Sequence, residues 1–129
     1  MAFNKLTDAQ DERLALLSEE CAEVIKAIAK IQRHGYASRN PYDPRAGTNR
    51  DMLTTELGDV AAAVEFLIAA GDLARDGIEA CCEQKIQGVS RWLHHQPSKL
   101  LRSVCAVRQA DPAVAGTLET GKADHVRQL

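Results

Sequence analysis

LLSEECAEVIKAIAKIQRHG, residues 16–35, decides the fold. Together with Leu14, the residues Leu17, Cys21, Val24, Ile25, Ile28 and Ile31 recur at the spacing of a helix that turns one apolar stripe toward a core. Thr7 stands where an N-cap belongs, and Asp8, Asp11 and Glu12 suit the positive end of the helix. Arg33 and His34 suit its negative end, and Gly35 can close it in a left-handed conformation. The spacing therefore predicts one long helix from about Thr7 to Gly35. Glu19, Glu20 and Glu23 raise the question of why a face that could be core carries acids, since Glu20 lies between Leu17 and Val24 in angle.

Outward from this segment the pattern repeats. TNRDMLTTELGDVAAAVEFL, residues 48–67, offers Thr48 or Asn49 as a cap and Asp51 in the first turn. Met52, Leu53, Leu57, Val60, Val64, Leu67 and Ile68 form a second stripe that Gly71 closes. Between the two, GYASRNPYDPRAGT carries two prolines and two glycines and reads as a loop. A third helix is expected over about 74–95, with Ile78, Cys81, Cys82, Ile86, Val89, Trp92 and Leu93 turned inward. Pro97 marks its end or the start of a short fourth helix. The pattern fades beyond Pro112, so residues 1–110 are read as the domain and 111–129 as a weakly ordered or partner-docked tail.

Composition agrees with packed helices. Hydrophobic residues make up 45% and aromatics only 4% of 129 residues, and the apolar set is mostly Ala, Leu, Ile and Val. The expectation is an all-α protein with a single core. The start of the chain lacks the apolar core of a signal peptide, and VAAAVEFLIAA is interrupted by Glu65 and too short for a membrane span. The four cysteines form no CxxC pair and are too sparse for a disulfide scaffold. A cytoplasmic protein with no membrane partner is expected.

A net charge of −2 argues against a general nucleic-acid binder, and no nucleic-acid partner is expected. Residues 84–110 nevertheless hold Lys85, Arg91, Lys99, Arg102 and Arg108 without an acid. That segment is either a solvated basic face or a surface for phosphate.

The acids have a geometric consequence. Residues three apart on a helix lie about 60° apart with a rise of about 4.5 Å, so Glu20 and Glu23 project side by side, as do Glu56 and Asp59. If the two helices pack antiparallel through their stripes, four carboxylates converge, with Ala27 and Ala63 leaving room beside them. Carboxylates that close raise one another's pKa unless a cation lies among them. Oxygen ligands without His or Cys select Mg²⁺ or Mn²⁺ over zinc. Ordinary surface acids remain the alternative from spacing alone. The sequence argues against a di-iron carboxylate bundle, because none of Glu20, Glu23, Glu56, Glu79 or Glu83 has a His three residues on.

Glu19-Glu20-Cys21-Ala22-Glu23 followed by Glu56-Leu57-Gly58-Asp59 resembles the signature of the MazG-type all-α nucleoside triphosphate pyrophosphohydrolases. The resemblance runs over about residues 14–96, including the NPYDP loop and WLHHQ, and is nearest to small single-domain members often carried by phages. It departs in the longer stretch between Glu23 and Glu56, which leaves base specificity open. The resemblance implies a four-helix bundle assembled as a homodimer or homotetramer. It further implies Mg²⁺-dependent cleavage of a nucleoside triphosphate to monophosphate and pyrophosphate, Mn²⁺ being able to substitute.

Carried over by position, Glu20, Glu23, Glu56 and Asp59 are the metal ligands, and two or more ions are expected with substrate. Glu19, about 100° round from Glu20, is a base that orients water, a ligand to a further ion, or a solvated acid. Lys85 is the first candidate for phosphate neutralisation and Arg91 the second. Tyr36 and Asn49, with Asn40 and Tyr42, either meet the base or serve the turns of their loop. A purine deoxynucleotide such as dGTP is the favoured substrate. The rival reading is a non-catalytic helical module, a phage regulator acting through the basic 84–110 segment.

Overall fold

A computed structural model describes residues 3–43 and 45–109, so the expected tail at 111–129 lies outside the described residues. Four α-helices follow in order: α1 (Asp8–His34), α2 (Asn49–Ala69), α3 (Arg75–Val89) and α4 (Ser98–Gln109). No strand occurs among the described residues, and a single antiparallel bridge joins Arg39 to Thr48 inside the long loop. The protein is all-α, as the stripes predict.

Helix ends form where the capping chemistry lies. The Thr7 hydroxyl accepts from the Gln10 N–H at 3.2 Å while the Gln10 amide oxygen accepts from the Thr7 N–H at 3.0 Å. Thr48 and Asp51 repeat this reciprocal pairing at the start of α2, at 3.2 and 2.8 Å. Gly35, at φ +83°, closes α1 by donating to the Ile31 carbonyl at 2.7 Å.

The third helix is shorter than its apolar pattern suggests. It gives way after Val89 to a 3₁₀ turn over Ser90–Trp92. Gly88, Val89 and Ser90 are weak helix formers, and the Ser90 hydroxyl donates to the Gln87 carbonyl at 3.3 Å, which competes with continued winding. Pro97 starts a true fourth helix, its carbonyl accepting from the N–H groups of Leu100 and Leu101. The chain divides into two compact units between Arg75 and Asp76, so α1 and α2 form one and α3 and α4 belong to the other.

Within the first unit α1 and α2 are antiparallel and pinned at both ends. At the loop end, the Asn49 amide donates to the Gly35 carbonyl at 2.9 Å. At the open end, Arg13 Nε meets Asp72 Oδ2 at 2.7 Å and Gln10 Nε2 donates to Asp72 Oδ1 at 3.3 Å. Between them Ala27, Ala63 and Leu67 are the buried apolar residues.

Two expectations change here. Ala27 and Ala63 leave no room for a bulky group, since they are only 3% and 1% exposed; small side chains let the helices approach closely. The α1 stripe is also only partly covered. Leu17, Val24, Ala27 and Ile31 are half-buried or buried, while Leu14, Cys21, Ile25 and Ile28 stay exposed. The stripe is wider than the contact one neighbouring helix makes, so α2 covers one row and leaves the adjacent row open.

Candidate metal centre

Halfway along the hairpin, Glu20 of α1 meets Glu56 and Asp59 of α2. One carboxylate oxygen from each lies within 4.8 Å of the other two. Glu20 and Glu56 are half-buried, and Asp59 is exposed. The Glu20 carboxyl is pushed above its ordinary range, first by burial, then by the charges of Asp59, Glu19, Glu56 and Glu23. Two half-buried carboxyls and an exposed one thus concentrate negative charge at one place between the helices.

The donor set fits a hard divalent ion. All three groups offer oxygen, and Mg²⁺ takes oxygen ligands at about 2.0–2.1 Å, which sets adjacent ligand oxygens about 3 Å apart. Small side-chain rotations of Glu20, Glu56 and Asp59 would close the difference from their present spread.

The sequence of a MazG nucleotide pyrophosphohydrolase domain is matched over residues 9–88. The chain belongs to the MazG family. The matched span takes in nearly all of α1, the loop, α2 and nearly all of α3. No curated protein and no solved structure gives a significant match. Membership of the MazG family points to nucleotide pyrophosphohydrolase activity, and the acidic cluster could bind a metal ion.

The remaining MazG site candidates are placed as follows. Glu23 is not among the three converging acids; Lys26 Nζ lies 3.2 and 3.4 Å from its two oxygens, and its charge still acts on Glu20. Glu19 is exposed beside Glu20 and acts on it through charge. Asn49 is 8% exposed, and its amide is committed to Gly35. Tyr36 is half-exposed, with the Arg50 guanidinium 4.8 Å from its ring centroid. Lys85 is exposed on α3. Arg91 lies in the 3₁₀ turn, its guanidinium 5.4 Å from the Trp92 ring centroid.

Lys26, Arg50 and the trio Gln10, Arg13 and Asp72 were not foreseen from the sequence. Lys26 could have been found from its i,i+3 spacing to Glu23. The trio joins positions some 60 residues apart, and no local pattern signals such a pairing.

Proposed function

We propose that this MazG protein hydrolyses a nucleoside or deoxynucleoside triphosphate between its α and β phosphates, releasing monophosphate and pyrophosphate. The observation that carries this reading is the convergence of Glu20, Glu56 and Asp59 from two helices onto one point. These three would hold Mg²⁺, with Mn²⁺ able to replace it, and Glu23 would join them on leaving Lys26. When bound, two or more such ions neutralise the triphosphate and acidify water.

Glu19 and Glu20 are the proposed catalytic pair: Glu20 anchors the centre, and Glu19 orients the attacking water and takes up its proton. Water adds to the α-phosphorus in line with the departing pyrophosphate, whose charge Lys85, and secondarily Arg91, would neutralise. Asn49 would serve by holding the loop closed, and Tyr36 by presenting an aromatic face stiffened by Arg50.

A homodimer or homotetramer is part of the proposal. The uncovered residues Cys21, Ile25 and Ile28 on α1 support it, as does the small number of buried apolar side chains in the hairpin. No described helix is long and apolar enough to cross a membrane, in keeping with work on the cytoplasmic nucleotide pool, in a host cell if the protein is phage-borne. The favoured substrate is a purine deoxynucleotide such as dGTP.

Release of monophosphate and pyrophosphate from the eight common NTPs and dNTPs with Mg²⁺ or Mn²⁺ tests the activity. Turnover of one or two, lost in Glu56→Gln, is the expected result. A folded protein that turns over none of these, nor modified nucleotides, would favour the helical interaction module acting through the basic segment 84–110.

A further inference from the structure

A cavity of about 260 Å³ opens at the free end of the hairpin. Five leucines, Leu6, Leu14, Leu17, Leu67 and Leu73, make its walls, and Gln10 and Asp72 supply its polar groups. Leu17 lies one turn from Glu20 on α1, a rise of about 4.5 Å, and Leu67 lies about 12 Å along α2 from Asp59. The cavity thus continues the same helical pair that carries the acidic cluster.

We infer that this cavity is the nucleobase pocket and that Asp72 selects a base with adjacent N–H donors, guanine foremost. The inference rests on the triphosphate reading above and deepens it by naming the substrate class. An apolar slot beside a phosphate-binding centre suits a flat heterocycle, whose faces want leucine contact and whose edge wants a polar partner.

The chemistry of Asp72 decides which edge. Its Oδ2 accepts from Arg13 Nε at 2.7 Å and its Oδ1 from Gln10 Nε2 at 3.3 Å. A carboxylate has about four lone-pair sites, so two remain for a ligand. The Arg13 hydrogen bond holds the Asp72 carboxyl below its usual range, which keeps it an acceptor. Its side chain is 17% exposed, enough to be reached and little enough for an unpaired edge to be costly.

Guanine presents N1–H and the N2 amino group side by side and can meet both oxygens at once. Cytosine and adenine each present one amino group beside a ring-nitrogen acceptor, and the carboxylate takes a single bond from them. Thymine and uracil flank their one N–H with carbonyl oxygens, which repel a carboxylate. Gln10 and Arg13 act as positioning residues by fixing the Asp72 carboxylate.

The test is equilibrium binding of the α,β-methylene analogues of dGTP and TTP in the presence of Mg²⁺, with inorganic tripolyphosphate as a probe that has no base. The wild-type protein should prefer the dGTP analogue. Asp72→Asn should reduce that preference by roughly 5- to 150-fold, the range of one bidentate contact, and leave tripolyphosphate binding unchanged. Leu73→Trp, which fills the cavity from a half-exposed position, should weaken both analogues and spare tripolyphosphate; it decides the matter if Asp72→Asn fails to fold.

An unchanged dGTP-to-TTP ratio in folded Asp72→Asn would overturn the pocket, as would tripolyphosphate binding that falls in step with the analogues. Absence of tripolyphosphate binding to the wild type would instead defeat the triphosphate reading beneath it.

Discussion

Replacing Glu56 by Gln should move stability in opposite directions with and without metal. In the metal-free protein Glu20 sits above its ordinary value of 4.5, partly because of the Glu56 charge. A carboxyl raised in the folded state binds more protons there than in the unfolded chain, so stability falls as pH rises from the ordinary value through the raised one. That penalty is fully present above the raised value. Glu56→Gln relieves part of it, so the metal-free variant should be slightly more stable at pH 7 and show a shallower decline above pH 4.5.

With metal the order reverses. At a concentration 100 times the wild-type dissociation constant, bound Mg²⁺ adds about 2.7 kcal/mol to folding. Loss of a group that merely supports a ligand typically costs 10–100-fold in affinity, so loss of a proposed direct ligand should cost at least about 100-fold. The variant would then gain only about 0.4 kcal/mol at the same metal concentration. At about 4 °C per kcal/mol for a chain of this length, the metal-induced rise in Tm should shrink from about 10 °C to about 2 °C. Thermal melts followed by circular dichroism, with isothermal titration of Mg²⁺ or Mn²⁺, read both effects. A variant that keeps the wild-type metal response, or is less stable than wild type without metal, would refute the assignment of Glu56 to the centre.

Other perturbations probe the scaffold. Leu67→Ala should destabilise by about 2–3 kcal/mol in urea titrations, toward the low end for a buried leucine, because the cavity beside it lets neighbours relax. Thr48→Ala should cost about 1 kcal/mol through the lost cap. Thr48 also holds the Asp51 carboxyl below its usual range, so that part of the stability is present above the ordinary aspartate range and lost as pH falls through the lowered value. The difference from wild type should therefore narrow in acid, as denaturation at pH 7 and pH 3 would show. Ile25→Glu, at a position 68% exposed in the single chain, should dissociate the proposed oligomer in sedimentation experiments without lowering helix content.

The helices were legible in the sequence because their causes are local. Thr7, Gln10 and Gly35 bound α1, and Thr48 and Asp51 start α2, by bonds that span three or four residues. The i,i+3 spacing of Glu20 to Glu23 and of Glu56 to Asp59 likewise placed acids on the inner edges of both helices. Local propensity also accounts, after the fact, for the end of α3 at Val89: apolar periodicity continues to Leu93, but the weak formers Gly88 to Ser90 break the winding.

Only the packed hairpin decided which acids meet. Glu20 joins Glu56 and Asp59 because antiparallel pairing sets their relative height, while Glu23, equally well spaced, lies outside that group and pairs with Lys26. The same pairing brought Arg13 and Gln10 to Asp72 and opened the cavity beside them. Spacing along one helix fixes direction by 100° steps, but the register between two helices is set by side-chain packing such as the close approach at Ala27 and Ala63. The sequence by itself therefore determined the helices and the chemistry each carries, and the tertiary structure alone determined which chemistries share a site.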